Sequence, residues 1–194
     1  MMDSGYLATP LIFLVQVIFG FYTLMLLLRF LLQLVRADFR NPVSQFILTL
    51  TTPVLKPLRK YIPGYRGLDI ASLLAAWIVK TIEIAIILLL SGAAGIAPAI
   101  LWAIPALVYL LFMIFTFSIV IGVILSWFQA GYNHPVAGVI HSLNAPILRQ
   151  ASRVVPVISG IDLAPLAAIL ALTVLKMLVM PLLITLFNMP PNLL

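Results

Sequence analysis

Four long and nearly uncharged apolar stretches constrain this chain more than any other feature, because a polypeptide carrying them has to place them in lipid. They run from about Leu11 to Val35, Ile70 to Leu90, Ala99 to Phe128 and Leu163 to Phe187. A bilayer's hydrocarbon layer is about 30 Å thick and takes roughly 20 apolar residues of helix to cross. Backbone groups inside it must satisfy one another, so such a run folds as a helix. The composition agrees: 64% of the 194 residues are hydrophobic and 8% are charged, and the mean hydropathy is +1.23. The expected fold is an all-α membrane protein with four transmembrane helices. The first stretch is too long for a signal-peptide core, follows the acidic Asp3 and lacks a small-residue cleavage site, so it is expected to be retained.

The net charge of +6 is explained by topology, and no nucleic-acid partner is expected. Arg36, Arg40, Lys56, Arg59, Lys60 and Arg66 lie between the first two spans, and Arg149 and Arg153 between the last two. The segment from Ser91 to Pro98 is uncharged. The positive-inside rule therefore predicts that both basic connections are cytoplasmic and both termini face outward. Having no cysteine, the chain has no disulfide, thiolate metal site or cysteine nucleophile.

A shift of 93 positions lays the first connection on the second without a gap. Pro42 meets Pro135, Pro53 meets Pro146, Pro63 meets Pro156, Gly67 meets Gly160 and Asp69 meets Asp162, and from Asn41 to Ala75 12 of 35 positions are identical. The matches fall on residues that constrain backbone shape, the signature of an internal repeat. The chain thus divides into residues 1–95 and 96–194, each a hairpin of two spans around an amphipathic connection, 36–69 and 129–162. Two spans per unit is an even number, so the copies enter the membrane in the same direction, related by a pseudo-two-fold axis along the membrane normal.

Within the first connection Val43, Phe46, Ile47, Leu50, Val54, Leu58 and Tyr61 recur at helical spacing, with Ser44, Gln45, Thr49, Lys56, Arg59 and Lys60 opposite. This is the pattern of a helix lying in the headgroup region. Val136, Val139, Ile140, Leu143, Ile147 and Val154 repeat the apolar row. Pro53 and Pro146 are expected to break each connection into two short helices, the second capped by Thr51 or Asn144. One reading is that these helices seal the hairpin. The other is that Arg40, Lys56, Arg59, Lys60, Arg66, Arg149 and Arg153 bind anionic lipid headgroups or an acidic partner. Asp69 and Asp162 read as helix N-caps, favoured there by the helix dipole.

Arg29, Lys80, Glu83 and Lys176 lie inside spans, where an unpaired charge costs at least about 2.5 kcal/mol. Arg29 is near enough to its helix end to be expected to snorkel to the headgroups. Lys80 and Glu83, three residues apart, suit an ion pair within one helix. Glu83 and Lys176 are 93 apart, equivalent in the two copies, and a pair between them is expected if the second and fourth spans meet at the pseudo-axis. Gly122, the counterpart of Arg29, leaves room for close packing at that level. The same charges could instead line an ion path.

Enzyme motifs are absent from the sequence: there is no HExxH, GxSxG or phosphate-binding loop, and Ser126 and Ser142 have no evident base. His134 and His141, seven apart, are weak metal or haem candidates, because Pro135 leaves His134 outside a helix. The expectation is a non-enzymatic protein with no cofactor and no metal.

The series Asn41-Pro42, Thr52-Pro53, Leu55, Pro57-Leu58-Arg59, Ile62-Pro63, Gly67 and Leu68-Asp69-Ile70, repeated in weaker form from His134 to Leu163, resembles the YggT (YlmG) family of bacterial and plastid membrane proteins. The resemblance covers nearly the whole chain. Gln150 and Ser152 stand where the first copy has Pro57 and Arg59, so any role of those two belongs to the first repeat. The resemblance implies a bacterial inner (plasma) membrane protein whose relatives are associated with osmotic or envelope stress, cation uptake, division-related organisation and, in plastids, cofactor assembly on a cytochrome. Two functions fit: a scaffold or assembly factor using lipid headgroups and membrane-protein partners, with homo-oligomers allowed, or a small oligomeric cation channel or transport component.

Overall fold

The computed structural model of the chain describes residues 4–62, 68–93, 95–127, 134–156 and 162–190. Pro63, Arg66, Gly67 and Gly160, like Asp3, lie outside the described residues. Six helices form among those described: α1 (Ser4–Leu34), α2 (Pro42–Tyr61), α3 (Ile70–Leu90), α4 (Ala99–Trp127), α5 (Pro135–Val154) and α6 (Ala164–Leu186). Four are long and apolar enough to cross a membrane, over Ala8–Leu34, Ile70–Leu90, Ala99–Trp127 and Ala164–Leu186. They fall where the apolar stretches predict them, since length and polarity alone decide which segments lipid accepts. The helices α2 and α5 are the two connections, each opened by a proline in the first turn, Pro42 or Pro135, where a missing N–H costs nothing.

Across the bundle the spans run α1, α3, α4, α6, each packed on the next. Helix α2 lies on α1 and α3, while α5 lies on α4 and α6 and also touches α2 and α1. The main core joins Leu26, Leu27, Leu31 and Leu32 of α1 to Ala71, Ala75 and Ala76 of α3, and takes in Ile47 and Leu55 of α2. Alanines on α3 let its backbone come close to α1, which is how helices gain dispersion contact where lipid gives no hydrophobic drive. A second cluster holds Ile84 and Leu88 against Ala99, Ala103, Ala106 and Met189. Two indoles clamp this side: Trp77 Nε1 donates to the Ile100 carbonyl and Trp102 Nε1 to that of Phe187, both at 3.0 Å. The remaining apolar surface, such as Phe13, Val17 and Ile18 of α1 and Leu170, Leu178 and Leu182 of α6, is exposed and faces lipid.

Both connections lie at the same end of the bundle, as parallel repeats require. Asn41 makes the join. Its Oδ1 accepts from the Val43 N–H at 2.9 Å, capping α2, and its Nδ2 donates to the Pro135 carbonyl at 2.7 Å. Gly138 lies beneath that amide, where an added Cβ would come within 3.3 Å of Nδ2.

The expected break at the central prolines does not occur, and α2 and α5 each run unbroken through Pro53 and Pro146. Pro53 removes the N–H that would serve the Thr49 carbonyl and opens the helix at that turn. Side chains hold the opened turn together. Thr51 and Thr52 hydroxyls donate back to the Ile47 and Leu48 carbonyls at 2.6 and 2.5 Å, and α1 supplies two further donors: Tyr22 Oη to Leu50 at 3.4 Å and Arg29 to Leu48 at 3.2 Å. Thr51 and Asn144, expected as caps, are therefore interior and buried.

The single apolar row expected on α2 also divides. Ser44, Ile47, Thr51 and Leu55 are the buried residues, so Ser44 leaves the polar side on which its chemistry placed it. Phe46, Val54 and Tyr61 are exposed on the next sector. At about 3.6 residues per turn the helix thus has three faces: one on the bundle, an apolar one toward lipid, and a third carrying Gln45, Thr49, Lys56 and Lys60, all exposed. In α5 the buried residues are Val139, Leu143 and Asn144, because that helix packs against both repeats.

Candidate functional site

The polar chemistry of the first repeat converges beneath α2. Arg29 stands on the bundle side of α1, one turn from the buried Leu26 and Leu32, and points inward with a side chain 5% exposed. The snorkelling expectation is overturned. Its guanidinium finds closer oxygens inside, where Nη1 donates to Thr51 Oγ1 at 2.7 Å, Thr52 Oγ1 at 3.1 Å and the Leu48 carbonyl at 3.2 Å. On its other edge Nε stands 3.8 Å from Asp69 Oδ2, close enough for charge attraction.

Asp69 works at two levels. As predicted, it caps α3, with Oδ1 accepting from the Ser72 N–H at 3.3 Å. Its Oδ2 accepts from the Ser72 hydroxyl and from Arg59 Nη2, so one carboxylate ties α3 to Arg29 of α1 and Arg59 of α2. Burial pushes the Asp69 carboxyl up, but the Ser72 hydroxyl, the Arg59 hydrogen bond and the Arg59 charge together hold it below its ordinary value. Arg59, placed by sequence among the partner-binding cations, is engaged here instead, with 41% of its side chain still exposed.

The second repeat builds the same place without the two arginines. Gly122 stands where Arg29 does, Asn144 where Thr51 does and Ser152 where Arg59 does. Asn144 turns its amide into the gap: Nδ2 donates to the Ser118 carbonyl at 2.8 Å and Oδ1 accepts from Ser118 Oγ at 2.5 Å. A Cβ on Gly122 would meet Asn144 Nδ2 at 3.0 Å and Ile140 Cγ2 at 3.3 Å, so glycine does permit close packing here, between α4 and α5. Asp162, expected as an N-cap, stays exposed one residue before that position, which Leu163 holds without a side-chain bond; its Oδ1 accepts from the Ala164 N–H at 2.9 Å.

The charges within spans do not form one network. Lys80 and Glu83 pair as expected, Nζ to Oε1 at 2.8 Å, with side chains 15% and 4% exposed. Glu83 Oε2 is buried without a hydrogen-bond partner. The proposed Glu83 to Lys176 pair is not formed. Lys176 Nζ lies over the Tyr109 ring, 5.6 Å from its centroid, because α3 and α6 each pack on α4, which stands between them. Equivalence in sequence does not put these two residues in touch.

Around the outside of this end, Arg40, Lys56, Lys60, Arg149 and Arg153 are exposed. Lys60 Nζ lies 5.9 Å from the Tyr61 ring centroid, and Arg153 Nη1 donates to Gln150 Oε1 at 3.2 Å. Of the residues singled out in sequence, these five keep a solvent-facing cation, while Arg29 and Arg59 are structural. His134 sits at the N-cap position of α5 without a capping hydrogen bond, and His141 is exposed. Among the described residues, no group of three or more histidine, aspartate or glutamate side chains has metal-holding geometry. Thr51, Ser72 and Ser118 escaped sequence reasoning as site residues. Hydroxyls on apolar helices are common and carry no marker of their tertiary partner.

The family described as CCB3/YggT matches the chain twice, over residues 8–90 and 101–183. The two ranges are offset by the same 93 residues as the internal repeat. An uncharacterized protein of Pseudomonas aeruginosa is 40% identical over 190 residues, covering 96% of each chain. The uncharacterized protein YggT of Escherichia coli K12 is 34% identical over 169 residues, covering 86% of this chain and 87% of its own. No solved structure matches the chain.

Two outcomes follow for the buried site. A carboxyl held low in the folded state contributes stability above its unfolded value, near pH 4, and loses it as pH falls through the lower folded value. The melting temperature in detergent is therefore expected to fall on acidification below about pH 4, and Asp69→Asn to flatten that dependence while lowering stability at pH 7. Arg29→Met should cost about 2 kcal/mol, the scale of charge-assisted hydrogen bonds, in unfolding by dodecyl sulfate in mixed micelles. Arg29→Lys should recover only part, since an ammonium cannot match a planar fork reaching three oxygens.

Proposed function

The chain belongs to the CCB3/YggT family, and from that premise we propose that it is a non-enzymatic scaffold of a bacterial inner membrane, working in envelope organisation under osmotic or other envelope stress. In this reading the termini face the periplasm and the end bearing α2 and α5 faces the cytoplasm, where its cations meet anionic headgroups. The observation that carries it is the three-sided build of α2. One side is fastened to the bundle through Arg29 and Asp69, one dips Phe46, Val54 and Tyr61 toward lipid, and one holds Lys56 and Lys60 outward. A helix so placed lies in the interface plane, where each cation near an anionic surface is worth about 1 kcal/mol. Arg149 and Arg153 extend the same basic surface from α5.

The test is the amount of phosphatidylglycerol retained by purified protein from mixed vesicles with phosphatidylcholine. Reversal of Lys56, Lys60, Arg149 and Arg153 to glutamate is expected to cut the enrichment about tenfold or more, on the scale of these surface terms, with the melting temperature unchanged. Unchanged enrichment in the reversed protein counts against the platform.

The buried Lys80–Glu83 pair, with one carboxylate oxygen unpartnered, favours a second reading as a small cation channel or transport component. An acid flanked by a cation inside a span is a poor path for cations, so liposomes holding the purified chain are expected to stay silent under potassium, sodium and osmotic gradients. Selective cation flux that Glu83→Gln abolishes would establish the second reading in place of the first.

A further inference from the structure

Lys176 is a cation at mid-depth of the membrane whose complement this chain does not hold. It stands ten residues from Leu186 and twelve from Ala164, the ends of α6, so either surface is roughly 15 Å or more away at about 1.5 Å per residue. A lysine stem does not cover that distance, which excludes headgroup phosphates as its partner. The residue is partly exposed on a helix otherwise turned largely to lipid, and its neighbour is the face of Tyr109. A ring face attracts a cation but neutralises none of its charge.

The acids of the chain are five, and each is accounted for. Asp38, Asp69 and Asp162 belong to the end carrying α2 and α5, and Asp3 precedes α1. Glu83, within a span, is 3% exposed and held by Lys80. A second copy of the chain therefore has no accessible carboxylate to offer at that depth. We propose that the seam between α4 and α6 at Tyr109 and Lys176 is the docking site for a transmembrane helix of a different protein that carries a single carboxylate near the middle of its span. Ionised side chains inside membranes pair with one another, and a carboxylate presented to Lys176 replaces lipid around the cation with its counter-ion. Leu172, one turn away on the same face and partly exposed, adds apolar contact surface beside it.

The experiment uses the full-length chain reconstituted in phosphatidylcholine vesicles and a synthetic polyleucine transmembrane helix, with energy transfer between labels as the readout. A helix with glutamate at its centre is expected to associate about tenfold more strongly than one with glutamine there, the scale of a polar contact between membrane helices. The gain should vanish when the glutamate is moved to the helix end and in Lys176→Met, a substitution lipid accepts readily, and should survive in Lys176→Arg. Equal association of the glutamate and glutamine helices, or an undiminished gain in Lys176→Met, overturns the proposal. Energy transfer between two labelled copies of the chain that Lys176→Met abolishes would put a second copy at the seam and overturn it equally.

Discussion

A guanidinium that cannot stay in lipid and does not leave it organises the first half of this molecule. Arg29 is committed by its position on α1 to the hydrocarbon region, so it must be given oxygens there. The protein supplies them from α2, whose two threonine hydroxyls and Leu48 carbonyl face down onto the span, and from Asp69 at the start of α3. Three consecutive helices are thereby tied at one point. Removing any one of them strands a buried charge, which costs more than the pair contributes when intact. That asymmetry explains why a connecting helix only 20 residues long lies in a defined place against the bundle.

Proline takes part in the same arrangement. Pro53 leaves α2 one backbone donor short at the turn where α1 reaches up with Tyr22 and Arg29. A residue that would weaken an isolated helix is tolerated where α1 donates to the carbonyls on either side of the one it deprives, Leu48 and Leu50. The exposed cations that remain on α2 and α5 are then available for headgroups, while Arg59, counted with them from sequence, is already engaged with Asp69.

Much of the architecture was legible in the residue order because lipid imposes a coarse and strict rule. Ile70–Leu90 and Ala99 onward were readable as spans to the residue, and the 93-residue repeat exposed the parallel hairpins. Sequence could not say which apolar row of α2 meets protein and which meets lipid, for both surroundings reward the same side chains. Phe46 and Ile47 are adjacent and both strongly apolar, yet one is exposed and the other buried. Nor could it direct Arg29, since the choice between headgroup and interior depends on where Thr51 and Asp69 arrive in space. The pairing of Glu83 with Lys176 failed for a related reason. Matching register between copies says nothing about adjacency, and the order of packing puts α4 beside α3.

The neutral counterpart in the second half carries one more implication. Two identical hairpins assembled as separate chains would have to repeat the buried cation, with its fourfold demand for oxygens, on both sides of the pair. Continuity of the polypeptide lifts that obligation, letting glycine and asparagine stand in for arginine and threonine at Gly122 and Asn144. Fusion thus permits a division of labour: an electrostatically anchored limb beside one seated by amide and hydroxyl alone.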